Sequence, residues 1–273
     1  MITASIVTYH NSKSDIERVL NSAIESCIDK IYIIDHSNTD LFKDFKQKSS
    51  KIIYIHNANK GYGAGNNIAI QLAIENDNAN YHIVLNPDIY FEKEVIAELL
   101  EYMDSNVDVG LVMPKVFYPN GELQYLCKLI PTPLDILFRM LLPPAKFKER
   151  DNRFKLQFSN YNKFMNVPYL SGCFMFFRIK SLKSVGVFDE RFFMHFEDLD
   201  LSRRINEKFR TMFYPSVNIV HAHAASHRKS FKMLKISIVS AIKYFNKWGW
   251  VIDKKRTLIN KKLLYDLGYK INY

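Results

Sequence analysis

HIVLNPD, residues 82–88, joins a short strand-forming run to a proline-containing acidic turn. Read as a buried strand from His82 to Leu85, it delivers Asp88 to the strand's carboxyl end. Three similar runs precede it, Ile2 to Val7, Ile31 to Ile34 and Ile52 to Ile55. Between the first two, Ser14 to Cys27 carries Ile16, Val19, Leu20, Ala23 and Ile24 at helical spacing behind a polar N-cap candidate. Gly65 to Glu75 and Lys93 to Met103 repeat that spacing. Strands alternating with helices predict a doubly wound α/β layer, in which ligands bind beyond the carboxyl ends of the strands.

Past residue 110 the rhythm changes. Val109 to Met113, Lys115 to Tyr118 and Glu122 to Leu126 read as short strands, the last two joined by the turn Pro119-Asn120-Gly121. Antiparallel additions to the sheet are expected there. Pro131 to Phe164 reads as a Pro-punctuated insertion with an apolar patch around Leu134, Leu137 and Leu142, suited to a flap or a binding surface. Tyr169 to Arg178, Thr211 to Tyr214 and Val217 to Val220 read as strands, and Leu199 to Lys208 as a helix. Beyond Arg228, Phe231, Leu234, Ile238, Ile242, Phe245 and Trp248 recur at helical spacing with lysines between them.

Composition narrows the class. With 273 residues, 48% of them apolar, the chain can bury a sizeable core and is not disordered. Three dispersed cysteines, Cys27, Cys127 and Cys173, define neither a disulfide framework nor a CxxC metal site, which fits a reducing compartment. The opening MITASIVTYH lacks the layout of a secretory signal, and no apolar run approaches the roughly 18 to 20 residues of a membrane span. A cytoplasmic location is expected. The net charge of +10 is concentrated: residues 228–262 hold eleven Lys and Arg against the single acid Asp253. Lysines interleaved with Phe and Trp suit peripheral contact with an anionic leaflet; a core-packing helix with a solvated basic face would read the same way. A basic chain also raises nucleic-acid binding, but no recognised nucleic-acid motif is present and the acidic loops would repel phosphates without a metal.

Several residues could carry chemistry. Asp88 at a strand end suits Mg2+ or Mn2+, cations that take oxygen ligands and share coordination with substrate phosphates; an ordinary Asn-Pro-Asp turn is the alternative. Phe196-Glu197-Asp198-Leu199-Asp200 opens a helix, where acids also complement the helix dipole, and Asp200 can pair with Arg203 or Arg204. Neighbouring Glu197 and Asp198 point in different directions, so one faces a substrate while the other holds the loop. His221-Ala222-His223 comes directly after a strand, with Ser226 and His227 nearby, and an imidazole there can complete a metal site or serve a structural role. The stretch Asn59 to Asn67, NKGYGAGNN, permits close backbone approach at a helix N-terminus, and its spacing is neither a Walker loop nor the dinucleotide fingerprint. Asp35 at the end of the second strand is placed to accept from a ribose or a base N–H.

Taken in order, IVTYHN, IIDHSNTD, NKGYGAGNN, LNPDI, YLSGCFMFFR, VGVFDERFFMHFEDLDLSRR and VHAHAAS resemble the family 2 glycosyltransferases, particularly the rhamnosyltransferase-like branch that builds bacterial O-antigens and capsules. The resemblance covers roughly residues 1–230 and implies a GT-A fold: a Rossmann-like mixed sheet flanked by helices, here with a basic helical extension. It implies a catalytic domain over 1–226, divided into a nucleotide-binding half, 1–110, and an acceptor-binding half, 111–226, with the extension over 227–273. By the same resemblance Thr8 and Asp35 hold the nucleoside, and the loop around Asn59 and Gly61 closes over the donor. Asp88 stands at the final position of the DxD motif, whose first acid is replaced here by Asn86. Asp198 matches the general base of inverting members, supported by Glu197, and His221, in preference to His223, completes the shell of Mn2+ or Mg2+. Ser171 and Gly172 align with a loop shaping the acceptor side.

The activity implied by the resemblance is that of an inverting enzyme, one that moves a single sugar from a nucleoside-diphosphate donor to a glycan or lipid-linked acceptor at the cytoplasmic face of the inner membrane. The QxxRW signature of processive synthases is absent, which argues for single-sugar addition. The branch points to dTDP-rhamnose first and UDP-hexoses second. A catalytically dead sugar-binding relative and a nucleotidyltransferase are competing readings, and the C-terminal helices could form a homodimer instead of touching lipid.

Overall fold

A computed structural model describes residues 1–141, 143–222 and 231–269. His223, Ser226 and His227 lie outside the described residues, as does Leu142. Among the described residues the chain forms nine strands: β1 (Ile2–Thr8), β2 (Lys30–Asp35), β3 (Ile52–His56), β4 (Tyr81–Leu85), β5 (Ile89–Tyr90), β6 (Val109–Phe117), β7 (Met165–Asn166), β8 (Phe174–Arg178) and β9 (Arg210–His221). The α-helices are α1 (Lys13–Glu25), α2 (Tyr62–Glu75), α3 (Glu94–Ser105), α4 (Pro133–Leu141), α5 (Lys148–Phe154), α6 (Ile179–Val185), α7 (Glu197–Asn206), α8 (Phe231–Trp248) and α9 (Lys254–Asp266).

All strands join one sheet in the order β3-β2-β1-β4-β8-β6-β9-β5, with β7 beside β9. The first four are parallel, as their continuous apolar runs predict. Ile2, Ala4, Ile6, Ile31, Ile33 and Ile83 face α1 and α3 on one side of the sheet. Val84, Met175 and Phe177 face α2, α6 and α7 on the other. Helix α1 is capped by Ser12, whose Oγ accepts from the Asp15 backbone N–H at 3.1 Å, so the cap is Ser12 and not a residue nearer Ser14.

The later strands differ from expectation. The two runs expected from Val109 to Met113 and from Lys115 are one strand, β6, ending at Phe117, with Pro114 sitting at a register shift in its pairing with β9. Proline has no N–H to give the ladder, yet its fixed φ suits extended chain, so the pairing slips without the strand ending. Likewise β9 runs through Pro215 and merges two expected strands. The segment Glu122 to Leu126 contributes a single bridge, Phe117 to Leu123, rather than a strand. Antiparallel addition holds for β8 against β4 and β6, whereas β6 and β9 are parallel to one another.

This topology decides where the site lies. The carboxyl ends of β1, β2, β4, β6 and β9 share one edge of the sheet, and β8, running the other way, starts there. Thr8, Asp35, Leu85, Phe117 and His221, and the segment before Phe174, therefore lie at the same end of the sheet.

Candidate active site

At that edge β5 pairs Ile89 with His221, and the Ala222 N–H donates to the Asp88 carbonyl at 2.8 Å. The pairing sets the side chains face to face: His221 Nε2 is 3.3 Å from Asp88 Oδ1. Asn86 Nδ2 lies 3.3 Å from the same ring nitrogen. On the ring's other side Gln124 Oε1 is 3.0 Å from Nδ1. Tyr62, the first residue of α2, places its hydroxyl 2.9 Å from both Asn86 Oδ1 and the Gly172 carbonyl. Burial first, and the nearby Glu197 carboxyl second, push the Tyr62 hydroxyl far above the usual phenol range, so it remains a protonated donor.

The Gly172 N–H in turn donates to Asp198 Oδ2 at 2.9 Å, while Asp198 Oδ1 accepts from the Leu199 N–H at 2.8 Å. A contiguous path of hydrogen bonds and close polar contacts thus runs from Asp88 through His221, Asn86, Tyr62 and Gly172 to Asp198. Of the two adjacent acids, Asp198 is partly open to solvent and Glu197 is 5% exposed. Burial, then the charge of Asp198, drives the Glu197 carboxyl well above the usual carboxylate range. Its Oε2 has no hydrogen-bond partner. The two acids therefore face differently, as their adjacency requires.

Two consecutive left-handed residues, His195 (φ 66°) and Phe196 (φ 71°), turn the chain into α7 and aim Asp198. Left-handed backbone at such residues costs of order 1–3 kcal/mol each and persists only where the surroundings enforce it. Helix α8 does the enforcing. Ser240 Oγ donates to the Met194 carbonyl at 2.8 Å and Lys243 Nζ to the Arg191 carbonyl at 2.6 Å. Lys247 bridges Asp189 and Asp200 at 2.8 and 2.7 Å, and Trp248 Nε1 donates to Asp200 at 2.8 Å. The other oxygen of Asp200 pairs with Arg204, while Arg203 pairs with Asp253. Asp200 thus has the ion-pairing role open to it in the sequence.

The remaining expected positions cluster at the ends of β1 and β2. Thr8 Oγ1 donates to Asp35 Oδ1 at 3.1 Å; the Ser37 N–H donates to the same oxygen and the Tyr54 hydroxyl to Oδ2. Asp35 is 0% exposed, so it reaches a nucleoside only through what it orients or by yielding one of these donors. Asn59 is exposed and accepts from the Gly61 N–H at 3.0 Å. Gly61 (φ 108°) packs so closely that a Cβ would stand 2.3 Å from the Phe193 carbonyl oxygen. That glycine therefore serves contact with the loop ahead of α7. Asn66 and Asn67 are buried ties, to Ser5 Oγ and to the backbone of Phe188. Ser171, beside Gly172, is partly buried next to the path.

The donor set suits a cation shared with a diphosphate. Ligands at right angles on a six-coordinate Mg2+ stand about 3 Å apart, close to the Asp88–His221 separation. No group of three His, Cys, Asp or Glu side chains able to hold a metal occurs among the described residues. Sequence reasoning missed Tyr62, Gln124, Tyr54 and the α8 residues. Tyr62 lies within the glycine-rich stretch Asn59 to Asn67, but Gln124 carries no local signal.

Residues 5–186 match the sequence pattern of glycosyl transferase family 2, and the chain belongs to that family. It is 26% identical over 202 residues to the low-salt glycan biosynthesis hexosyltransferase Agl10 of Haloferax volcanii, covering 73% of this chain and 60% of that protein. Rhamnosyltransferase WbbL of Escherichia coli K12 is 24% identical over 263 residues, 94% of each chain. The N-acetylglucosaminyl-diphospho-decaprenol L-rhamnosyltransferase of Mycobacterium tuberculosis is 27% identical over 192 residues, 63% of this chain and 62% of that one. Among solved structures, GalNAc-T7 with UDP, GalNAc and Mn2+ superposes with a TM-score of 0.61 at 16% identity, over 81% of this chain and 42% of its own. S. aureus TarS gives 0.60 at 14%, over 97% and 42%. The mixed sheet and its flanking helices are the GT-A fold.

Proposed function

We propose that this chain is an inverting, metal-dependent glycosyltransferase that adds one sugar from a nucleoside-diphosphate donor to a hydroxyl of a glycan or lipid-linked acceptor in surface polysaccharide synthesis. The observation that carries the reading is the path joining Asp88 and His221 to Asp198. It links the pair proposed to hold a cation to a carboxylate partly open to solvent.

In this reading Asp198 takes the proton of the acceptor hydroxyl as that oxygen bonds to the anomeric carbon. The bond from that carbon to the diphosphate oxygen breaks on the opposite face, its electron pair leaving with the diphosphate, and a single displacement inverts the centre. The Gly172 N–H holds one Asp198 oxygen and the Leu199 N–H the other, which fixes the carboxylate's orientation. Thr8, Asp35 and Tyr54 order the nucleoside end, Asn86 and Tyr62 set the floor beneath the sugar, and Ser171 borders the acceptor. Asp88 and His221 would hold Mn2+ or Mg2+, which supplies Lewis-acid neutralisation of the departing diphosphate.

The deciding experiment is Asp198→Asn with transfer and donor binding measured separately. Turnover falls by about 10² to 10⁴ while donor affinity is kept; undiminished turnover would falsify the assignment. WbbL and the mycobacterial relative are named rhamnosyltransferases, so dTDP-rhamnose is the first donor to try and UDP-hexoses the next. A thermal-shift screen of nucleotide sugars with Mn2+ identifies it.

One observation favours peripheral membrane contact at the cytoplasmic face. The outward side of α8 exposes Phe231, Leu234, Ile238 and Ile242 in one stripe, with Lys232 and Lys235 exposed beside it. Apolar residues flanked by lysines complement an anionic leaflet. No helix among the described residues is long and apolar enough to cross a membrane. The inward side of the same helix braces the Asp198 loop, so α8 belongs functionally with the acceptor half of the proposed 1–226 domain. The chain is expected to pellet with phosphatidylglycerol vesicles at low salt but not with phosphatidylcholine vesicles, and Ile238→Glu with Ile242→Glu to abolish pelleting. A homodimer sealing this stripe, or no pelleting, overturns the membrane contact.

A further inference from the structure

We infer that Gln124 is a positioning residue that keeps a proton on Nδ1 of His221 and so turns Nε2 toward Asp88 and the proposed cation. The inference rests on the cation site proposed above, but the tautomer is set by this chain's own hydrogen bonds.

Gln124 is buried at the sheet edge just after β6, and three hydrogen bonds fix it apart from the one to the ring. Its backbone N–H donates to the Val116 carbonyl at 2.8 Å. Its side-chain Nε2 donates to the His221 carbonyl at 2.7 Å and to the Phe117 carbonyl at 3.3 Å. Both side-chain partners are carbonyl oxygens and can only accept, so chemistry decides which end of the amide is the NH2. Turned over, the amide would press its oxygen against two others, one of them at 2.7 Å.

The end facing the imidazole is therefore Oε1, 3.0 Å from Nδ1. A carbonyl oxygen can only accept, so Nδ1 carries the proton, and in a neutral ring Nε2 keeps its lone pair. Around Nε2, Asn86 Nδ2 and Asp88 Oδ1 each stand 3.3 Å away. A carboxylate and an imidazole lone pair side by side repel unless a proton or a cation lies between them. By holding a proton on the far nitrogen, Gln124 sets Nε2 against the Asp88 carboxylate. Because Gln124 bonds both the ring and the backbone carbonyl of His221, it also fixes the ring's plane relative to β9. Partners of this kind behind a metal-binding histidine typically change affinity about 10–100-fold when removed.

The test uses the full chain as wild type, Gln124→Met and Gln124→Leu, neither of which offers the ring an amide oxygen. Two-bond 1H–15N spectra of the histidine rings report the tautomer with no cation added, and MnCl2 titrations with UDP present report affinity. Expected are an Nδ1–H ring in wild type and a mixture of tautomers in both variants, a spectral change that loss of packing alone would not give. Mn2+ affinity falls about 10–100-fold in the variants. An Nε2–H tautomer in wild type, or undiminished Mn2+ affinity in the variants, overturns the inference. If wild type shows Nδ1–H yet takes up no Mn2+, the cation reading fails and the role of Gln124 in setting the tautomer stands. Should one variant not fold, the other and the wild-type spectrum decide the matter.

Discussion

The backbone N–H of Gly172 donates to Asp198 Oδ2 at 2.9 Å, and a Cβ on that glycine would lie 3.2 Å from Asp198 Cβ. The proposed base is thus held by a residue with no room for a side chain. Gly172→Ala should displace the carboxylate by a fraction of an ångström while leaving the fold intact. We expect turnover to drop roughly 10- to 100-fold with donor affinity retained, since small misplacements of reacting groups weigh heavily on rate. Steady-state transfer assays beside calorimetric donor binding check this; unchanged turnover would mean that the Gly172 contact does not set the reacting geometry.

Asp88 is the only carboxylate of the proposed cation pair. Asp88→Ala should remove the Mn2+ dependence of donor binding: calorimetry with and without Mn2+ gives two different affinities for wild type and one for the variant. If the variant still discriminates, the cation is held elsewhere.

Glu197 lends stability a pH dependence of definite sign. Its carboxyl is raised by burial first and by Asp198 second, so the folded chain holds this proton more tightly than the unfolded one. Its contribution is fully favourable only below the unfolded value of about 4.3, and is eroded as pH rises from there through the folded value. Replacing Glu197 with Gln should therefore change the melting temperature more favourably at pH 8 than at pH 4.5. Paired melts of wild type and variant whose difference stays constant with pH would refute this.

Arg203 and Asp253 form a pair in which both side chains are almost wholly buried, 1% and 4% exposed, with the guanidinium 3.9 Å over the Trp248 ring. Burial pushes the Asp253 carboxyl up, but the hydrogen bonds from Arg203 and the Arg256 N–H, together with the charges of both arginines, outweigh it and leave the group below its usual range. The pair's stabilisation is thus present above the unfolded value of about 3.9 and lost as pH falls through the folded one. Asp253→Ala strands the Arg203 charge in the interior and should cost about 3–5 kcal/mol in urea unfolding at pH 7. A loss within experimental error would show that Arg203 finds another partner.

Four parallel strands are legible from Ile2 to Leu85 because strands of a parallel sheet read as near-continuous apolar runs, a local pattern. Pro114 and Pro215 make β6 and β9 look divided, since local rules treat proline as an end, while partners across the sheet carry each strand past it. Asp88, Asp198 and His221 are each recognisable from their place at an element's end. Gln124 is not. It stands 97 residues from His221, and nothing in its own neighbourhood asks for an amide. Tyr62 is hidden in another way, for the glycines around it draw attention to backbone approach while its hydroxyl spans 110 residues to Gly172.

By itself the sequence determined the alternation of strands and helices, the chemical types of the acids and histidine, and the concentration of lysines beyond Arg228, because each is written in neighbouring residues. The tertiary structure alone decided which of two adjacent acids is the more open to solvent, which nitrogen of His221 faces Gln124 and which faces Asp88, and that α8 braces the Asp198 loop. Those outcomes depend on burial and on hydrogen-bond partners brought from distant parts of the chain, which local pattern does not contain.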